Sequence, residues 1–213
     1  MTETIALTIE NLKKNRFGVT YVATKADVLP LIKQWLQPGE VVAVGGSVSL
    51  VETDVLPHLQ SGEYTYLDRY APGLTEDEKR EIFLRSMGAD TYFCSANAVT
   101  TQGELYNVDG NANRIAAIAY GPKRVIMVVG INKIVPDLEA AIHRVKTVAA
   151  PRNVERLGCN TYCQKAGHCM GVDGGMTDGC GAVGRICSGY LVSGWQRHKE
   201  RIQVILVGES CGY

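Results

Sequence analysis

Apolar and polar positions along this chain switch between two periods, and the switches outline an α/β protein. From Glu3 to Asn15 the apolar residues Ile5, Ile9 and Leu12 recur at helical spacing. FGVTYVA, from Phe17, reads as a strand, and Thr24 or Asp27 can cap a helix running to Leu36 and stopped by Pro38-Gly39. EVVAVG (40–45) is apolar without a break, the pattern of a parallel strand buried on both faces. SLVETDVLPHL then predicts a short amphipathic helix, and TYLDRY around Leu67 a strand. Thr75 followed by Glu78 forms a capping box ahead of the helix EKREIFLRSM.

DTYFCSA (90–96) is a further strand, and AVTTQGELYNVDG alternates around Gly103 as a hairpin does. ANRIAAIAYG fits a helical turn or a short strand. RVIMVVG (124–130) is the most strand-like run of the chain. PDLEAAIHRVKTVAA (136–150) predicts a helix, with Asp137 and Glu139 at the positive end of its dipole. RIQVILVGE (201–209) is a last strand. Strands alternating with helices predict α/β architecture: an open, mostly parallel sheet flanked by helices, with the hairpin and last strand as candidate antiparallel additions. The whole chain, 1–213, reads as a single domain, with a Cys- and Gly-rich insertion at 158–190 before the last strand.

Composition narrows the function classes. Twenty-two basic residues against twenty-two acidic ones leave no basic field for nucleic acid. No apolar run approaches the ~18 residues that cross a bilayer, so no membrane insertion is expected. The N-terminal MTETIALTIENLKKN lacks the apolar stretch of a signal peptide, and the expected location is cytoplasmic.

Three predicted strand ends carry chemistry, and ligands of such sheets bind there. VAVGGSVSL offers Gly45, Gly46, Ser47 and Ser49: a cradle for a small anion, or a glycine turn with a serine cap. CSANAVTTQGELYNVDGNANR gathers Asn97, Asp109, Asn113 and Arg114, where the arginine can pair bidentately with an anion, or the cluster can be turn chemistry. VVGINKIV places Asn132 and Lys133 directly after the strongest strand, Lys133 as a point charge for an anion or a solvated loop residue. Glu209, ending the last strand, is a candidate base or anchor. No nucleophile elbow or zinc-protease helix motif is present.

Taken in order, GGS before a helix, SANAVT, GEL, N-DG-NR, GPKRVIMVVGINKIV, AAP and the closing VILVGES-GY resemble the LUD-domain family of lactate-utilisation proteins. The resemblance implies a fold akin to the sugar-phosphate isomerase, coenzyme A transferase and formyltetrahydrofolate cyclo-ligase superfamily, whose members bind phosphorylated or nucleotide-like ligands at strand ends. It also implies a part in oxidising L-lactate to pyruvate, alongside separate iron–sulfur and dehydrogenase-like partner subunits. Where coenzyme A transferases carry a glutamate nucleophile, SANAV carries asparagine.

Family members with a cysteine motif ending in R-I-C match here at Cys163, Cys169 and Cys187. Between Cys169 and Cys180 this chain inserts MGVDGGMTDG, a departure from the familiar pattern. Five of the seven cysteines lie in this segment, spaced C-x3-C-x5-C-x10-C-x6-C. That spacing lacks the paired knuckles of zinc ribbons, while iron–sulfur clusters accept irregular loops. The expectation is a metal-organised insertion with a 4Fe–4S cluster on Cys163, Cys169, Cys180 and Cys187, with Cys159 as substitute. Zinc and metal-free thiols are the alternatives. The alternative function is a transferase- or isomerase-like enzyme for a phosphate-, nucleotide- or coenzyme A-type anion, its metal structural.

Overall fold

The structure is a computed structural model that describes all residues, 1–213. In chain order its elements are α1 (Glu3–Lys14), β1 (Gly18–Val22), α2 (Val28–Trp35), β2 (Val41–Val44), α3 (Val48–Glu52), α4 (Val55–Leu59), β3 (Thr65–Tyr66), α5 (Glu76–Ser86), β4 (Thr91–Cys94), β5 (Ala98–Thr100) and β6 (Leu105–Asp109). There follow α6 (Asn113–Ala119), β7 (Arg124–Gly130), β8 (Ile134–Val135), α7 (Leu138–Arg144), α8 (Ala150–Leu157), α9 (Tyr162–Ala166), β9 (Gly189–Ser193) and β10 (Ile202–Val207). No helix is long and apolar enough to cross a membrane.

Six strands form one sheet in the order β1-β10-β7-β4-β2-β3, and every pairing in it is parallel. The continuous apolar runs are explained by burial of both faces. On β7, Val125, Met127 and Val129 enter the core beneath α1, α5 and α6, while Ile126 and Val128 enter the core beneath α2, α3 and α4. All five are fully buried, and each such side chain contributes about 1.5–3 kcal/mol relative to exposure. The last strand is parallel and internal, contrary to its reading as an antiparallel addition, because Ile202–Val207 is apolar enough to be covered on both faces.

The hairpin forms, with β5 antiparallel to β6 and Gly103 turning at φ +85°. It does not extend the main sheet. It belongs to a second, mixed sheet, β8-β5-β6-β9, whose outer face packs on α7 through Ala98, Tyr106, Val108, Ala141 and Val145. The amphipathic stretch after Ser47 is two helices, broken where Asp54 takes a left-handed conformation, φ +57°. The Thr75 capping box is present, Glu78 N–H donating to Thr75 Oγ1 at 3.2 Å and Thr75 N–H to Glu78 Oε2 at 2.8 Å. ANRIAAIAYG resolves as helix α6.

The helix predicted at 136–150 runs on through Pro151 to Leu157, by way of a π-helical stretch over residues 145–149. The wider π turn admits a proline that a regular α-helix excludes, since Pro lacks an N–H and crowds the preceding turn.

Candidate functional site

Strands β2, β4 and β7 are neighbours in the main sheet, so the loops after them leave it side by side. With the turn from β6 into α6 they surround a basin of about 360 Å³ beyond the carboxyl ends of the strands, within the ~300–1,000 Å³ of small-molecule sites. Gly46, Ser47, Asn97, Asp109, Asn113, Arg114 and Lys133 all line it. Three loops singled out separately in the sequence thus meet in one place.

Arg114 holds that place together. Its Nε donates to Asp109 Oδ1 (2.9 Å), Nη1 to the Ser95 carbonyl (2.8 Å) and Asn107 Oδ1 (2.7 Å), and Nη2 to Asn97 Oδ1 (2.8 Å) and the Val108 carbonyl (2.9 Å). All five guanidinium hydrogens are therefore engaged within the protein. The arginine that the sequence offers to an anion instead ties the β4 and β6 ends to each other. Asp109 completes the knot, its Oδ2 accepting the Ile115 N–H at 2.9 Å. Gly45 makes room for it: a Cβ there would stand 2.9 Å from Arg114 Cδ and 3.0 Å from Tyr92 Oη. Ser47 caps α3, accepting the Leu50 N–H at 3.4 Å.

Lys133 is the unusual group. It is 2% exposed, and its Nζ lies 3.0 Å from Ser95 Oγ and 3.1 Å from Ser49 Oγ. No carboxylate pairs with it. Burial, reinforced by the charges of Arg144 and Arg114, pulls its pKa down to about 7, because desolvation penalises the charged amine. Ser49 is fully buried and donates to the Cys211 carbonyl at 3.1 Å.

Asn132 lies outside the basin but pins the C-terminal tail, accepting the Cys211 N–H (3.0 Å) and donating to the Gly212 carbonyl (2.9 Å). That tail carries Tyr213 into the basin wall. Glu209 accepts the Lys25 N–H at 2.8 Å and does not reach the basin.

Sequence reasoning passed over several lining residues: Arg69, Tyr70, Ser95, Asn153, Arg156, Arg185 and Tyr213. Ser95 stood inside the SANAV motif and Arg185 inside R-I-C, and both were legible there; Arg69 and Arg156 are isolated basic residues with no local signal. Arg69 lies 4.6 Å over the Phe83 ring, and Arg156 is steadied by Asn153 Oδ1 (2.7 Å) and Tyr213 Oη (2.9 Å). Basic side chains outnumber acidic ones five to one around the basin, and the one acid, Asp109, is already paired with Arg114. A chain of zero net charge has concentrated positive potential in this cleft.

The glycine-rich insertion closes one side, with Val183, Gly184, Arg185 and Ile186 in the wall. Two cations order it. Lys146 Nζ, buried, donates to the carbonyls of Gly171, Gly174 (3.1 Å) and Gly175 (2.6 Å). Arg185 reaches the carbonyls of Thr177 (2.6 Å), Cys180 (3.0 Å) and Cys187 (2.8 Å) and the Tyr190 hydroxyl (3.1 Å).

All seven cysteines are free thiols. Cys163 and Cys169 are buried, Cys169 Sγ accepting the Gly171 N–H at 3.4 Å. Burial raises the Cys187 pKa, and the nearby Cys169 and Cys163 thiols oppose its ionisation further. Cys180 and Cys159 are half-exposed, and His168 is exposed. No three His, Cys, Asp or Glu side chains converge as metal ligands do. In this arrangement Cys163, Cys169, Cys180 and Cys187 are not drawn together as one ligand set, and Lys146 and Arg185 hold the intervening loop through its carbonyls.

The fold has a counterpart among solved structures. A DUF162 family protein from Deinococcus radiodurans, determined at 1.70 Å, superposes with a TM-score of 0.53 over 96% of each chain, at 18% sequence identity. No curated protein sequence matches the chain. The family model of the LUD domain matches residues 5–207, nearly the entire length. On that match the chain belongs to the LUD-domain family.

Proposed function

We propose that the protein binds a small anionic metabolite, a carboxylate or phosphate, in the basin above β2, β4 and β7. The observation that carries this reading is the imbalance of charge: Arg69, Arg156 and Arg185 face the cavity and none has a carboxylate partner. In a cleft with low-dielectric walls such groups favour an anion over water. L-Lactate and pyruvate, the pair named by the resemblance to lactate-utilisation proteins, are small carboxylates and fall within the class; sugar phosphates and the phosphates of coenzyme A are the other members. Thermal unfolding with a panel of these anions tests it, since saturating ligand adds RT ln(1 + [L]/Kd) to stability. A shift that survives Arg69→Ala together with Arg156→Ala places the ligand elsewhere.

A redox role, as subunit of a lactate-oxidising system with iron–sulfur and dehydrogenase-like partners, is supported by the common electrostatic neighbourhood of Cys163, Cys169 and Cys187. It requires the cysteine loop to rearrange around a 4Fe–4S cluster. Anaerobically purified protein would then absorb near ~400 nm and bleach with dithionite. A colourless preparation removes the cluster from the proposal, and stoichiometric zinc would make the metal structural.

A further inference from the structure

Ser95, Lys133 and Ser49 form a compact triangle. Lys133 Nζ is 3.0 Å from Ser95 Oγ and 3.1 Å from Ser49 Oγ, and the two hydroxyls are 3.5 Å apart. Ser49 is held in turn by the Cys211 carbonyl at 3.1 Å. A nucleophile within hydrogen-bonding reach of a base, with the base oriented by a third group, is the arrangement that activates a serine. Ser–Lys versions of it recur on unrelated folds. Ser95 and Lys133 both open on the basin, whereas Ser49 lies behind them. A lysine buried without a carboxylate is biased towards the neutral amine, whose lone pair can accept the serine proton.

We propose that Ser95 and Lys133 form a nucleophile–base dyad that hydrolyses a small anionic ester or thioester through an acyl-enzyme on Ser95. As the bond from Ser95 Oγ to the acyl carbon forms, the serine proton passes to Lys133 Nζ. The bond to the leaving oxygen or sulfur then breaks, and the lysine proton goes to that atom. Water then adds to the acyl carbon and gives a proton to Lys133; the bond from the acyl carbon to Ser95 Oγ breaks, the lysine proton passes to Ser95 Oγ, and the carboxylic acid leaves with Ser95 and the neutral amine restored. Atoms balance as ester plus water to acid plus alcohol, or thioester plus water to acid plus thiol, with no oxidant or reductant. Ser49 positions the amine. The anionic character of the substrate rests on the basin reading above; the dyad itself does not.

The test is labelling of the full-length protein with diisopropyl fluorophosphate, in which Ser95 Oγ displaces fluoride, followed by peptide mapping. This neutral probe does not depend on the cationic rim. Wild type is expected to be modified at Ser95, and Lys133→Met to slow the reaction by about 10²-fold or more, the contribution of a general base. No modification at Ser95, or an equal rate in Lys133→Met, overturns the dyad. Should that variant misfold, the pH profile of wild type serves instead: the rate rises as Lys133 loses its proton near pH 7, among Arg144, Arg114, Glu52 and Cys211, which set its field. A rate flat through that range overturns the proposal. Acetyl phosphate, an anionic acyl donor, is added as competitor. Protection supports both readings, while labelling of Ser95 without protection retains the dyad and overturns the anionic substrate.

Discussion

Replacing Arg114 by alanine separates a structural knot from a ligand-binding arginine. The residue is 8% exposed, and its five guanidinium hydrogens are divided among Asp109, Ser95, Asn107, Asn97 and Val108. Its removal leaves the Asp109 carboxylate, whose side chain is only 10% exposed, without its counter-ion. Breaking a buried pair by deleting one partner costs about 3–5 kcal/mol, because a charge stays buried without compensation. The carbonyls of Ser95 and Val108 lose their donors as well, so the upper half of that range applies. For a chain of this length each kcal/mol moves Tm by about 2–4 °C, and Arg114→Ala is expected to melt roughly 8–20 °C below wild type. Arg114→Lys recovers little of this, since an ammonium cannot reproduce a planar fork of five donors. Urea titration monitored by circular dichroism, paired with anion-induced thermal shift, measures both quantities. If Arg114→Ala unfolds within about 1 kcal/mol of wild type but no longer responds to anions, the arginine is a ligand group.

Lys133 makes stability depend on pH in a definite direction. Its folded pKa, about 7 against 10.5, means that between those values the unfolded chain binds more protons, so its contribution to stability rises with pH. Lys133→Met should therefore be most stabilising, relative to wild type, at pH 7 and below, by up to about 5 kcal/mol, with the advantage gone by pH 10.5; a difference independent of pH contradicts the neutral buried amine. Lys146→Met removes the donor from three glycine carbonyls and should cost at least about 2 kcal/mol, with hydrogen exchange and proteolysis rising first at residues 171–178. Unchanged protection there would show the loop to be ordered by something else. Gly45→Ala drives a methyl into Arg114 and Tyr92 and should cost about 1–3 kcal/mol, read as a loss of Tm; a neutral result means the Arg114 knot can shift.

The central strands of the main sheet and their parallel pairing were legible because runs as apolar as RVIMVVG and EVVAVG require burial on both faces, whereas β10, expected as an antiparallel addition, was not placed by its own sequence. The capping box at Thr75 was legible because its partners are three residues apart. The second sheet was not. β9 pairs with β6 across the entire Cys-rich segment, and nothing in GYLVS specifies that partner. Nor could the π turn before Pro151 be foreseen, since the proline reads locally as a stop. Of the site, the loops GGS, SAN and INK could be read as strand ends, and they meet because β2, β4 and β7 happen to be adjacent. The role of Arg114 depended on five acceptors distributed over β6 and the loops beside it and β4, and two of them are the backbone carbonyls of Ser95 and Val108, which have no residue identity to read. The same holds for the insertion: sulfur drew attention to metals, while the groups that order the loop are peptide oxygens.

The place of β10 carries a consequence for synthesis. It lies between β1 and β7, so strands from opposite ends of the chain meet only through it. On the ribosome, β7, β4, β2 and β3 can assemble as their segments emerge, but β1 has no partner, and β7 keeps an open apolar edge until residues 202–207 appear. Nascent chains of this protein therefore carry an unpaired Val- and Ile-rich edge from the completion of β7 until β10 emerges, the kind of surface that recruits other strands. Chaperone engagement during synthesis, and aggregation of chains stalled before β10, follow from this strand order alone.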